Sequence, residues 1–313
     1  MMRLPFDAAA LVRVAVDRRA WAAWWNALRP ASLVIALVSC GLGAALAWRD
    51  GRGDGVATVL VLAAGMVLQA GVNLVNDFFE FKQRRVDDKA AHLGMFGPQR
   101  QVVEWFIFLT GLACFAAVVP AGLYLAWRSG WPFAALGAAG LVGGYAYTGE
   151  PLNYKRRGLG VPLVFLLMGV LLVAGSYYAV ARTLTVRAVT ASLPVSALVS
   201  LILLSNELRD YEPDSRHGIR TLTVRVGYRA SSVLYLVLLA SAYLGTGALA
   251  LADRAPQLLI AAAALPFAVP PTLLVFAPHE RRQGIIPRVM LHHLVFGGLF
   301  TAAFIIPFSG GSA

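Results

Sequence analysis

Nine apolar stretches, each close to twenty residues long and separated by charged connections, leave this chain few ways to fold. A helix rises about 1.5 Å per residue, so about twenty residues cross the roughly 30 Å of hydrocarbon in a bilayer. The stretches are 31–48, 56–76, 102–121, 131–148, 161–180, 188–206, 231–251, 256–276 and 289–308. Hydrocarbon offers the backbone no hydrogen-bond partner, which makes helices the expected state of each. The reading is an all-α integral membrane bundle of nine transmembrane helices, one membrane-embedded domain over residues 1–313. Composition agrees, with 58% hydrophobic and 14% charged residues and a mean hydropathy of +0.68; these values exclude an ordinary soluble domain. Cys40 and Cys114 both lie within apolar stretches, so neither a disulfide framework nor a thiolate metal site is indicated.

A formal charge of +11 would suit a nucleic-acid partner if it covered a solvated face. Here the basic residues fall in short gaps between apolar stretches, so no nucleic acid is expected and the charge reads as topology. Of the 27 Lys and Arg, 21 fall on one set of alternate connections. That places the N-terminus and the 2–3, 4–5 and 6–7 connections on the cytoplasmic side of the cell (inner) membrane. Residues 1–30, which include "DRRAWAAWWNALRP", read as a basic, Trp-rich segment lying at the interface.

The acids carry a second message, because acidic residues contribute little to orientation. Eight of the sixteen fall in two cytoplasmic segments, 77–101 and 207–230. The first begins "NDFFEFKQRRVDD" (76–88) and the second lies within "SNELRDYEPDSRHGIRTLTVRVG" (205–227). Each starts where an apolar helix reaches water, with Asn73 and Asn76 just inside one end and Asn206 inside the other. Helical spacing puts Asp77, Glu80 and Arg84 on one face, with Asp87 or Asp88 beyond. In the second segment Asn206, Arg209 and Asp210 share a face, and Pro213 is expected to start a new segment that aims Asp214 separately. Acids at the ends of membrane helices are costly unless partnered. Opposed carboxylate pairs without a Cys or His cluster suit magnesium, which takes oxygen ligands and commonly shares them with substrate phosphates. The interleaved cations Lys82, Arg84, Arg209, Arg216, Arg220 and Arg225 suit the remaining phosphate oxygens. A diphosphate leaving group needs this treatment, since negative charge grows on it as its bond to carbon breaks.

At these residues the sequence resembles the UbiA-type membrane prenyltransferase superfamily, and within it the 1,4-dihydroxy-2-naphthoate polyprenyltransferase branch of menaquinone synthesis. That family carries an N-D-x-x-D run after its second span. Its second motif, N-x-x-R-D-x-x-x-D-x-x-x-G-x-x-T-L-x-V-R-x-G, is matched by Asn206, Arg209, Asp210, Asp214, Gly218, Thr221, Leu222, Val224, Arg225 and Gly227 at unbroken spacing. "YAYTGEPLNYKRRGLG" (145–160) and "GSYYAV" (175–180) resemble further blocks. The resemblance implies that Asp77, Glu80, Asp210 and Asp214 bind Mg2+ bridging a polyprenyl diphosphate. It also implies that Asn73, Asn76, Asn206, Lys82, Arg84, Lys155, Arg209, Arg220 and Arg225 contact substrate. Tyr145, Tyr147 and Tyr154 are implied to line the reaction site, where an aromatic face favours an allylic cation. On this reading Asp77, Asp210, Tyr147 and Arg209 carry the catalysis. Glu80 stands where the family usually has Asp, and Val161 where the branch commonly has Glu.

The expected partners are a polyprenyl diphosphate, an aromatic acid and the lipid bilayer. Other acceptors within the superfamily are 4-hydroxybenzoate, homogentisate or a porphyrin. A secondary transporter is the rival from another class, although transporter sites lie near the bilayer midplane rather than at one face.

Overall fold

Each apolar stretch proves to be helical, and no strand occurs among the described residues, which are 12–14, 16–84 and 98–306 of a computed structural model. Asp87 and Asp88 lie outside the described residues, as does the side chain of Arg84.

Helix α1 (Arg18–Leu28) is capped by Asp17, whose side chain accepts the Arg19 N–H. It stops where Arg29 turns left-handed (φ 51°) ahead of Pro30. Its Ala20, Ala23 and Ala27 pack on α3 and α4, while Trp21 and Trp25 face outward. The spans follow as α2 (Leu33–Arg49), α3 (Gly55–Arg84), α4 (Pro98–Ser129), α5 (Trp131–Ala146), α6 (Gly160–Ala181) and α7 (Val186–Arg209). Two short helices, α8 (Tyr211–Arg216) and α9 (Leu222–Val226), precede α10 (Tyr228–Ala252), α11 (Pro256–Val275) and α12 (Ile285–Ile305).

Among the described residues eight helical stretches are long and apolar enough to cross a membrane. The predicted fourth span is shorter, the 16-residue α5, about 24 Å long. It still joins the two faces, as polar contacts at the helix ends show. On one face Arg29 and Lys155 both reach Glu80, Arg225 donates to the Arg156 carbonyl, and Arg282 pairs with Glu212. On the other, Arg128 and Arg182 meet Asp54, the Tyr178 hydroxyl donates to the Ser129 carbonyl, and Arg187 lies 2.9 Å from Asp253. Since α5 runs from Ser129 to the Lys155 connection, it passes from the second face to the first.

The bundle centres on α7, whose Val195, Leu198, Leu201 and Leu204 are fully buried. α2 packs so closely on α6 that a Cβ at Gly43 would overlap the Val173 carbonyl and the Tyr177 N–H. Both are backbone atoms and cannot swing aside. Gly43→Val is expected to destabilise the protein by about 1–3 kcal/mol through overpacking, read as a lower Tm of the detergent-solubilised protein. An unchanged Tm would show that the helices separate freely.

Candidate active site

Why do the acids sit where they do? α3 continues about two turns past the predicted end of its span, so Asn73, Asn76, Asp77 and Glu80 ride one helical face to the rim of the bundle. α7 ends at Arg209, and Asp210 leaves helical geometry (φ −93°, ψ 10°). Pro213 falls in the first turn of α8, where its missing N–H is not needed. As expected, the new segment re-aims Asp214, which is buried at 3% exposure.

Two adjoining cavities meet at this rim. The larger holds about 940 Å³ and runs between α3, α4, α5, α6 and α7. Its inner walls are apolar, supplied by residues such as Leu136, Leu141, Val164, Leu171 and Val199. Val119 and Leu123, exposed on α4, also line it, so it reaches the outer surface of the bundle beside α5. The smaller cavity, about 200 Å³, forms a charged mouth that includes Glu80, Lys155, Glu207, Asp210 and Asp214. Arg29, Tyr147, Leu203, Asn206 and Arg209 line both. Asp77, 8% exposed, lines the larger cavity at the same end.

Ion pairs hold the mouth in shape. Glu80 accepts Lys155 Nζ at 2.5 Å and Arg29 Nη2 at 3.0 Å. The same Arg29 nitrogen lies 4.0 Å from Asp77. Arg209 binds Asp210 through two nitrogens at 2.8 and 2.7 Å. Burial disfavours the charged ammonium of Lys155, yet Glu80, Tyr147 and Asp214 together outweigh burial and hold its pKa above the ordinary lysine range. Burial likewise pushes the Tyr154 phenol up. Lys155 also lies 5.7 Å from the centre of the Tyr147 ring, which meets the Tyr154 ring edge-on at 5.5 Å.

The structure brings together most, though not all, of the residues singled out from sequence. Asn76, Asp77, Asn206, Arg209, Tyr147 and Tyr154 line the larger cavity, and Glu80, Lys155, Asp210 and Asp214 the mouth. Asn73 also lines the cavity, but its amide is committed to the Leu28 carbonyl at 2.8 Å and the Ser32 hydroxyl at 2.6 Å. Lys82, Arg216, Arg220 and Arg225 are exposed and line neither cavity. Arg225 instead staples the α9 segment to the 4–5 connection through the Arg220 and Arg156 carbonyls. Tyr145 stands behind the wall, packed on Phe79 and Phe115.

Sequence reasoning missed Arg29 and gave Glu207 no role. Arg29 was signalled by an Arg-Pro pair directly ahead of the first span. Glu207 accepts the Thr223 N–H at 2.9 Å and thereby seats α9 over the mouth.

The donor types bear on metal binding. Among the described residues five carboxylates (Asp77, Glu80, Glu207, Asp210, Asp214) and three cations (Arg29, Lys155, Arg209) line this end of the cavities. Among the described residues no group of three or more His, Cys, Asp or Glu could hold a metal by itself. Oxygen donors of this kind suit a hard divalent ion, which commonly takes only one or two carboxylates from the protein.

An apolar cavity closed at one end by a charged mouth, inside a bundle of membrane-length helices, defines a membrane protein with an enclosed binding chamber. The chain belongs to the UbiA prenyltransferase family, whose model matches residues 36–295, and it is accordingly a multi-pass membrane prenyltransferase. It is 29% identical to the 1,4-dihydroxy-2-naphthoate octaprenyltransferase of Bacillus subtilis, covering 70% of this chain and 71% of that one. Identity to the protein of the same name from Mycobacterium tuberculosis is 32%, over 80% and 84% of the chains. The 2-carboxy-1,4-naphthoquinone phytyltransferase of Synechocystis is 27% identical over 90% and 92%. In fold the chain is similar to a UbiA homolog from Archaeoglobus fulgidus solved with GPP and Mg2+, with a TM-score of 0.59 at 16% identity, covering 88% of this chain and 99% of that one.

Proposed function

We propose that the protein transfers a polyprenyl group from polyprenyl diphosphate to 1,4-dihydroxy-2-naphthoate, with magnesium, in menaquinone synthesis. The observation that carries this reading is the junction of a roomy apolar cavity with a mouth where carboxylates from two distant segments, Glu80 on α3 and Asp210 and Asp214 after α7, converge with Arg29, Lys155 and Arg209. Relatives named for carboxylated naphthalene acceptors support the choice of acceptor.

Asp77, Glu80, Asp210 and Asp214 would hold magnesium, which when bound withdraws negative charge from the leaving diphosphate. Arg29, Lys155 and Arg209 pair with phosphate oxygens, exchanging the carboxylates they now hold for the headgroup. Asn206, which lines both cavities, donates to the headgroup the amide hydrogen that its bond to the Ile202 carbonyl leaves over. The donor's C–O bond breaks with its electron pair leaving on the diphosphate. Tyr147 and Tyr154 offer ring faces to the allylic cation that remains. The carboxylated ring carbon attacks that cation, and the carboxylate then departs as carbon dioxide, its bonding pair restoring the aromatic ring. Apolar walls keep water from quenching the cation first. By the bias in basic residues, the mouth faces the cytoplasm.

The test uses purified protein with magnesium, a labelled polyprenyl diphosphate and a panel of aromatic acids, with products identified by mass. A prenylated naphthalenediol lacking the carboxyl carbon is expected. Chelation should abolish its formation and magnesium restore it. A product built on 4-hydroxybenzoate, or full turnover in chelator, would overturn the acceptor or the metal respectively.

A further inference from the structure

The larger cavity holds a third cation that the diphosphate reading does not use. Arg100, on the first turn of α4, is 7% exposed and pairs through Nε with Glu104, 4% exposed, at 2.9 Å. Its guanidinium lies over the Phe81 ring, 4.6 Å from the centroid. Among the described residues the cations lining this cavity are Arg29, Arg100 and Arg209, and only Arg100 is absent from the mouth. Its Nη1 has no hydrogen-bond partner, and neither has Oδ1 of Asn76, 3% exposed and on the wall of the same cavity.

A pair four residues apart on a helix gains a few tenths of a kcal/mol at a surface. The Arg100 guanidinium is buried, and leaving its Nη1 N–H unmade carries a desolvation penalty. Near a membrane helix end, a buried ionisable pair of this kind points to a ligand. The isoprenoid tail has no charge to meet it, and the headgroup has Arg29, Lys155 and Arg209. Val103, Ile107, Ala23 and Ala27 line the cavity beside Arg100 and supply flat apolar surface.

We infer that the arm of the cavity between α1, α3 and α4 is the acceptor subsite, where Arg100 binds the carboxylate of the aromatic acid. Glu104 positions the guanidinium, and Asn76 Oδ1 accepts a ring hydroxyl. Asn76 adjoins Asp77 in sequence, which sets the acceptor next to the donor's headgroup. This rests on the proposed aromatic acceptor and adds where it binds.

The experiment measures KM for 1,4-dihydroxy-2-naphthoate and for the prenyl diphosphate in wild type, Arg100→Gln and Arg100→Lys, and binding of the naphthoate and its carboxamide without donor. Loss of a charge-assisted hydrogen bond predicts a KM for the acid raised about tenfold or more in Arg100→Gln, with a smaller rise in Arg100→Lys. KM for the diphosphate should stay within about twofold, since the donor's head is held elsewhere. Wild type should prefer the acid to the carboxamide, and Arg100→Gln should lose that preference. Normal acid affinity in an active Arg100→Gln variant overturns the subsite alone. Should that variant fail to fold, wild type binding the carboxamide as tightly as the acid overturns it equally. A wild type that prenylates no aromatic acid overturns both this inference and the function beneath it.

Discussion

Asp77→Asn and Asp210→Asn are each expected to lower kcat by about 10²–10³-fold or more while leaving a folded protein in the membrane. The amide keeps the shape of the side chain and removes the charge that a divalent cation needs. Each change takes one of the five carboxylates from this end of the cavities. Fold should survive, because Asp210 is only partly buried and sits at the tip of α7, where its guanidinium partner remains close to solvent. Asp77 is more buried, but Arg29, 4.0 Å from it, keeps Glu80 as a closer partner. The measurement is turnover of labelled prenyl diphosphate beside a melting curve. Near-normal kcat in either variant would show that the acids do not form the reacting mouth.

Lys155→Met should produce a different signature, a loss of both stability and donor binding. The ammonium and Glu80 are 13% and 14% exposed in their side chains, so the pair is largely desolvated. Removing one partner takes from Glu80 its shortest ion pair and is expected to cost about 3–5 kcal/mol. The double variant Lys155→Met, Glu80→Gln leaves no uncompensated carboxylate and should recover most of the Tm. It should not recover KM for the diphosphate, because both a phosphate partner and a carboxylate are gone. Additive loss of Tm in the double variant would mean that the two side chains do not act on each other.

How much of this could be read from the chain alone depends on the range of the interaction. Spans, their order and the face carrying the acids followed from local hydropathy and charge, and the helix ends came within a few residues for most spans. α3 ran on well past its apolar segment, because amphipathic residues such as Phe78, Phe79 and Phe81 continue the helix where hydropathy alone sees an end. The acids of the two motifs were found because helical spacing groups them. Their partners were not: Arg29 and Lys155 reach Glu80 across 51 and 75 residues of chain. Arg225 was expected at the substrate from motif position, whereas it spends its donors on two backbone carbonyls. Arg100 and Glu104 received no reading from the sequence, since their burial is a tertiary fact.

The brevity of α5 has a consequence for the surrounding lipid. At about 24 Å it falls short of the usual hydrocarbon thickness, and Trp127 and Trp131, both about four-fifths exposed, mark one end of it. Indole rings settle at headgroup depth, and local thinning of the bilayer is one way a short helix is matched. Val119 and Leu123, where the larger cavity reaches the outer surface, lie on α4 beside this short helix. Thinning there would lower the barrier for a lipid-soluble molecule entering or leaving the cavity sideways.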